Sequence, residues 1–175
     1  YQATGTLNVA DLAVRVAEVG DSRSVRASFG FMTVGLGIKL ALFPLHVWLP
    51  NAYAYAPSVS SAFLAATATK VSIYVLVRVF FTIFGPDYSF ETMPLDVVLL
   101  PLAVAAMFVG SLVAIFQDDV KRMLAYSSVA QIGYMIVGIC LASVIGLTGG
   151  LLHLFNHALM KGALFLAIGS VSYTH

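Results

Sequence analysis

The sequence predicts an all-α protein, a polytopic bundle of transmembrane helices. Three observations carry that expectation. Of 175 residues, 60% are hydrophobic and only 10% are charged, against about 25% charged in an ordinary soluble domain. Mean hydropathy is +0.94. Apolar stretches long enough to cross a bilayer, about 20 residues each, recur five times with short polar turns between them. So apolar a chain is neither disordered nor equipped with enough polar surface for a soluble domain. In lipid, only structures that satisfy their own backbone polar groups are viable, so the stretches are read as packed helices.

The elements follow in order. Residues 1–26 form a polar-to-amphipathic connector at the membrane interface, where Leu7, Ala10, Leu12, Val14 and Val16 alternate with Asp11, Arg15 and Glu18. Asn8 is placed to cap a short helix there. The bundle occupies residues 27–172, with no soluble domain. Its first span, 27–49, carries Lys39 and an internal Pro44. Proline removes a helix hydrogen bond and clashes with the preceding turn, so a break is expected near residues 40–43. A turn at 50–57 leads to the second span, 58–84, centred on Thr69 and Lys70 and ended by Gly85-Pro86. The third, fourth and fifth spans are placed at 95–116, 123–145 and 147–172. Trp48, Tyr53 and Tyr55 read as an aromatic belt at one interface. Opening on Tyr1 and stopping just past an apolar span, the chain is expected to be a piece of a longer one.

Charge placement points to function. All eight acidic residues, Asp11, Glu18, Asp21, Asp87, Glu91, Asp96, Asp118 and Asp119, fall in connectors or at span ends. Three of the four lysines do the reverse: Lys39, Lys70 and Lys161 lie inside spans. A lysine at the centre of a membrane helix costs roughly 2.5–3.5 kcal/mol on insertion scales. Either desolvation favours the neutral amine, which can then exchange a proton, or a carboxylate from outside these residues pairs with it. Both readings suggest an ion path; the bland alternative is a lysine that snorkels to the interface.

The fifth span holds His153, His157 and Lys161 at i, i+4 and i+8, which share one helix face. Histidine titrates near neutrality and can pass a proton between its two nitrogens, so a proton relay is favoured. A metal site using the two histidines and a purely structural pair stay open as alternatives. His46, after the break, belongs to the path or caps the broken helix. Ser128, with Ser127 and Gln131 on the fourth span and Ser60, Ser61, Thr67 and Thr69 on the second, offers hydroxyls that wet such a path or simply mediate packing.

Several classes are set aside. Net charge is +1 from nine Lys+Arg and eight Asp+Glu, which gives no basic field for nucleic acid. One cysteine, Cys140, excludes an intrachain disulfide framework and a Cys-based zinc site. There is no glycine-rich phosphate loop, nucleophile elbow or cysteine cluster. No cofactor is expected, and the chain reads as a transport subunit rather than an enzyme. A structural bundle or a carrier of small organic solutes competes with an ion path. The arginine and lysine distribution leaves orientation open, with Arg15, Arg23 and Arg26 facing Lys121 and Arg122.

Four blocks, in order, resemble the antiporter-like family of membrane subunits. They are Gly35-Leu-Gly-Ile-Lys39-Leu-Ala-Leu-Phe-Pro44-Leu-His46-Val-Trp48-Leu-Pro50; Ala56-Pro57-Ser58-Val59-Ser60 with Ala68-Thr69-Lys70; Asp119-Val-Lys121-Arg-Met-Leu-Ala-Tyr126-Ser-Ser128 with Gln131-Ile-Gly133-Tyr134; and His153-Leu-Phe-Asn-His157-Ala-Leu-Met-Lys161. That family includes the large proton-pumping subunits of respiratory NADH–quinone oxidoreductase, the large subunits of Mrp-type sodium/proton antiporters, and relatives in membrane-bound hydrogenases. The lead-in Gly5-Thr6-Leu7-Asn8-Val9-Ala10-Asp11-Leu12 looks most like the D-type Mrp subunit.

The resemblance implies a parent of about fourteen helices with two inverted repeats, each holding a broken helix. The present residues would be roughly its seventh to eleventh helices. It implies that Lys39 is the central lysine of the broken helix, Lys70 the bridging lysine, and His153, His157 and Lys161 the later polar stripe. It also implies a glutamate, outside these residues, that pairs with Lys39, and a cytoplasmic turn at 118–122. Other membrane subunits, protons and a monovalent cation are the implied partners, and a bacterial plasma membrane the implied location. The runner-up is the same scaffold as a pump in an NADH–quinone oxidoreductase or related redox complex.

Overall fold

A computed structural model describes residues 1–20 and 22–174, with side chains as far as Val171. Asp21, counted above among the connector carboxylates, and His175 lie outside the described residues.

The described residues form helices joined by turns. The lead-in folds into α1 (Val9–Val19), and Asn8 is its cap, its side chain accepting from the Ala10 N–H at 3.0 Å. Such a cap satisfies one of the orphan donors at a helix start. Arg15 ties the same segment together by donating to the Thr4 carbonyl at 3.0 Å. Ser22 caps α2 (Arg23–Leu40) in the same way.

Helix α2 stops where Ala41 adopts a left-handed conformation, φ 60°. Pro44, preceded by a cis peptide, cannot continue the helix. The broken end is closed from within: Leu42 N–H donates to Gly37 O at 2.8 Å, and Ala41 N–H to Ile38 O at 3.1 Å. Trp48 Nε1–H also donates to Ile38 O, at 2.9 Å. The chain then resumes as α3 (Trp48–Tyr55). Trp48 therefore caps the break. Tyr53 corrects the aromatic-belt expectation: it is 2% exposed, set edge-on to Phe165, and donates to Leu64 O at 3.3 Å.

Helix α4 (Ser58–Val77) runs on as a π-helical segment, Arg78–Ile83. Gly85, at φ 82°, makes the turn that Gly-Pro predicts. A second π-helical segment, Asp87–Thr92, follows, and its Tyr88 hydroxyl donates to Gly20 O at 3.1 Å. Then come α5 (Leu95–Ile115), α6 (Val120–Cys140) and α7 (Val144–Thr174). The start of α6 lies three residues before the apolar run because Asp119 caps it, accepting from Lys121 N–H at 2.7 Å and Arg122 N–H at 3.2 Å. Left-handed Ala142, φ 46°, separates α6 from α7.

Among the described residues, four helical stretches are long and apolar enough to cross a membrane: Ser58–Ile83, Leu95–Ile115, Val120–Cys140 and Val144–Val171. The span placed at 27–49 is divided by the break between α2 and α3. The molecule is thus a polytopic all-α bundle with a Pro-broken helix. Helix α6 is the axle: α5, α7 and α3 all pack on it, while α4 packs on α7 and α2 on α4. Glycines permit the closest approach, since a Cβ on Gly133 would meet the Ala103 carbonyl oxygen at 2.6 Å. Outward faces stay apolar, with Phe108, Ile115, Phe155 and Leu159 all exposed, as suits a surface that meets lipid or other apolar helices.

Candidate functional site

The packing of α4, α6 and α7 encloses a set of polar side chains. On α7 the four-residue spacing turns His153, His157 and Lys161 toward the bundle. His157 is fully buried and Lys161 is 4% exposed, while His153 is half-buried at the edge. The two imidazoles lie parallel, 4° apart, with centroids 6.1 Å apart. From α4 comes Lys70, 5% exposed. Lys70, His157 and Lys161 are close enough for like-charge repulsion.

Among the described residues, neither buried amine is bonded to a carboxylate. Lys70 Nζ donates to the Ala65 carbonyl of its own helix. Lys161 Nζ reaches across to α6, donating to the Leu124 carbonyl at 2.7 Å and to Ser127 Oγ. These oxygens are dipoles, not full charges, so they offset only part of the cost of burying an ammonium. Among the described residues, no protein group bonds either nitrogen of His157, nor Nε2 of His153. Buried polar atoms are ordinarily hydrogen-bonded, and exceptions mark strain or function. What the arrangement can do chemically is hold a small number of protons among several bases. A proton on one member disfavours protons on its neighbours, which favours passing charge along rather than accumulating it.

The structure separates the sequence-predicted residues into groups. Lys70, His157 and Lys161 come together, with His153 beside them and the Tyr134 ring 6.0 Å from His153. Lys39 does not join them: it is exposed on the last turn of α2, and no hydrogen bond among the described residues links it to the cluster. His46 sits in the break, stacked on Phe43 at 5.2 Å and edge-on to Tyr126 of α6 at 6.2 Å. Ser128 is buried and donates to Leu124 O at 2.9 Å; the hydroxyl that touches Lys161 belongs to Ser127, one residue earlier. Ser127 carried no distinguishing signal along the chain, because its partner lies 34 residues away on another helix. For the metal alternative, no group of three or more His, Cys, Asp or Glu able to hold an ion occurs among the described residues.

The comparisons with known proteins match this architecture. A family model described as "NADH:quinone oxidoreductase/Mrp antiporter, TM" covers residues 1–175. The N-type subunit of NADH-quinone oxidoreductase from Desulforudis audaxviator is 49% identical over 173 residues, which is 99% of this chain and 34% of that protein. The D-type subunit of the Na(+)/H(+) antiporter from Alkalihalophilus pseudofirmus is 37% identical over 170 residues, 97% of this chain and 34% of that protein. A chain in the structure of the Mrp complex from a Dietzia species superposes with a TM-score of 0.84 at 34% identity, covering 98% of this chain and 30% of that one. A chain of the membrane-bound sulfane sulfur reductase, an archaeal respiratory membrane complex, gives a TM-score of 0.84 at 32% identity, over 98% of this chain and 34% of that one. The present chain thus spans about a third of the length of these relatives. The resemblance drawn from the four sequence blocks is borne out, and the chain belongs to the NADH:quinone oxidoreductase/Mrp antiporter transmembrane family.

Proposed function

We propose that these residues form the central part of a proton-translocating subunit in a multisubunit cation/proton antiporter. Protons pass through Lys70, His157 and Lys161, with His153 at one end of the set. The observation that carries this reading is two lysines and a histidine buried together with no carboxylate bonded to them among the described residues. Groups so costly to bury are retained where they move charge. Lys39, on the last turn of α2, joins the path where a carboxylate from the rest of the subunit would pair with it. His46 and Ser128 are secondary candidates for the path. The partners are the other membrane subunits of the complex, the transported ions are protons and a monovalent cation, and the location is a bacterial plasma membrane.

A second reading has its own support. The 49% identity to an N-type NADH-quinone oxidoreductase subunit exceeds the 37% identity to a D-type antiporter subunit. On that reading the same relay is a pump driven by redox chemistry on other chains.

One experiment tests the relay and separates the two readings. The full-length subunit is assembled with its partners in inverted vesicles, and internal pH is followed with a fluorescent probe. In an antiporter, added sodium collapses an imposed pH gradient; in a redox pump, an electron donor builds one. Lys161→Met and Lys70→Met are each expected to abolish whichever signal the parent shows while the complex still assembles. Full transport in both variants would remove the relay.

A further inference from the structure

Both bonds of the Lys161 amine land on α6, and one carbonyl there is over-subscribed. Lys161 Nζ donates to Leu124 O at 2.7 Å, the Ser127 hydroxyl donates to the same oxygen at 2.9 Å, and the Ser128 hydroxyl does so at 2.9 Å. A carbonyl oxygen has two lone pairs. The Ser128 N–H of the helix ladder takes one of them, so three side-chain donors compete for the other and are replaceable. Ser128 is shut in at 1% exposure, and its hydroxyl donates to that oxygen. Ser127 is half-buried and also meets Lys161 Nζ.

The chemistry of the amine decides what Ser127 does. As an ammonium, Lys161 has three protons and no lone pair. Ser127 Oγ then accepts from it and directs its own proton to Leu124 O. As a neutral amine, Lys161 gains a lone pair, and a buried acceptor without a donor is costly. The Leu124 carbonyl has no proton to offer. Of the two groups bonded to Nζ, only Ser127 has one. Lys70 of α4 donates to the Ala65 carbonyl, and His157 of α7 bonds no protein group among the described residues, so neither is the donor that meets Lys161 Nζ.

We infer that Ser127 is a positioning residue that holds Lys161 in both charge states, its hydroxyl proton swinging between the Leu124 carbonyl oxygen and Lys161 Nζ. No covalent bond changes in that swing. The proton that leaves Lys161 goes to the next base in the path, and Ser127 keeps its own. The inference rests on the proposal that Lys161 changes protonation during transport.

Threonine and valine at position 127 have the same shape and differ by one hydroxyl, so they test this directly. In the assembled complex, with rates normalised to the amount of protein present, Ser127→Thr is expected to transport within about twofold of the parent. Ser127→Val is expected to fall about tenfold or more, the size of a lost charge-assisted hydrogen bond. Ser127→Ala removes the hydroxyl without β-branching and is expected to match valine. Equal rates for the threonine and valine variants would overturn the inference, as would a parent-like alanine variant. Lys161→Met separates the two levels. If it is silent while threonine and valine are equal, the relay stands and the role of Ser127 falls. If it transports normally, Lys161 has no place in the relay and the inference about Ser127 falls with it.

Discussion

Replacing Gly133 by alanine puts a methyl group where α5 leaves no room. A Cβ there would lie 2.6 Å from the Ala103 carbonyl oxygen, 2.9 Å from Met107 Cγ and 3.2 Å from Ala106 Cβ. The Met107 side chain can swing aside. The Ala103 carbonyl is helix backbone and cannot, so α5 and α6 must part by roughly 0.8 Å to restore ordinary contact. A gap of that size forfeits about a quarter to a half of each dispersion contact it opens. Those contacts lie along Leu99, Ala103, Ala106 and Gly110, the buried stripe of α5. Overpacking of this kind costs about 1–3 kcal/mol, and a rigid backbone obstacle places it near the upper end. Helix propensity gives back about 1 kcal/mol, because alanine is the better helix former. The net expectation is a loss of about 1–2 kcal/mol.

Gly149→Ala is the matched control, because a Cβ there meets no atom within 4 Å among the described residues. It should gain about 0.5–1 kcal/mol. The two variants should therefore differ by about 1.5–3 kcal/mol in a denaturant titration of the full-length subunit in micelles. Transport should fall with Gly133→Ala as well, since α6 carries Leu124 and Ser127 to Lys161. A Gly133→Ala protein as stable as Gly149→Ala would refute the reasoning, because it would mean the α5–α6 contact is not close-packed.

Three further outcomes are expected in the same titration. Asp119→Ala, which strips the cap from α6, should cost about 1 kcal/mol, whereas Asp119→Asn should stay close to the parent. Ser61 and Lys121 both donate to Ala56 O at the end of α3, and the buried Ser61 hydroxyl also donates to Tyr53 O at 2.9 Å. Ser61→Ala should cost about 1–3 kcal/mol and Lys121→Met about 1 kcal/mol or less, with a double-mutant coupling of about 0.5 kcal/mol or more because they share an acceptor. Phe80→Ala, at a site with no exposed surface and against Phe29 at 5.7 Å, should cost about 3–5 kcal/mol.

Much of the fold was legible in the residues because it is set locally. Pro44 cannot donate to a helix ladder, and the break follows within its own neighbourhood. Asn8 stands as a cap before a run that can coil, and α1 starts there. Helix ends were less well placed. Hydropathy marks where apolar residues begin, whereas α6 begins at the cap Asp119 and stops near left-handed Ala142. Tyr53 read as interfacial because tyrosine suits a boundary, yet the short helix that carries it turns its ring inward against Phe165.

The candidate site divides along the same line. Spacing alone put His153, His157 and Lys161 on one face, since a helix repeats nearly every four residues whatever surrounds it. The cost of an ammonium in oil marked Lys70 with no reference to any neighbour. Only the tertiary structure decided that Lys70 lies beside that face while Lys39 stands apart from it, and that Ser127 rather than Ser128 meets the amine. Those outcomes depend on which helices pack together and at what rotation. They are properties of α4, α6 and α7 jointly, and no single stretch of chain encodes them.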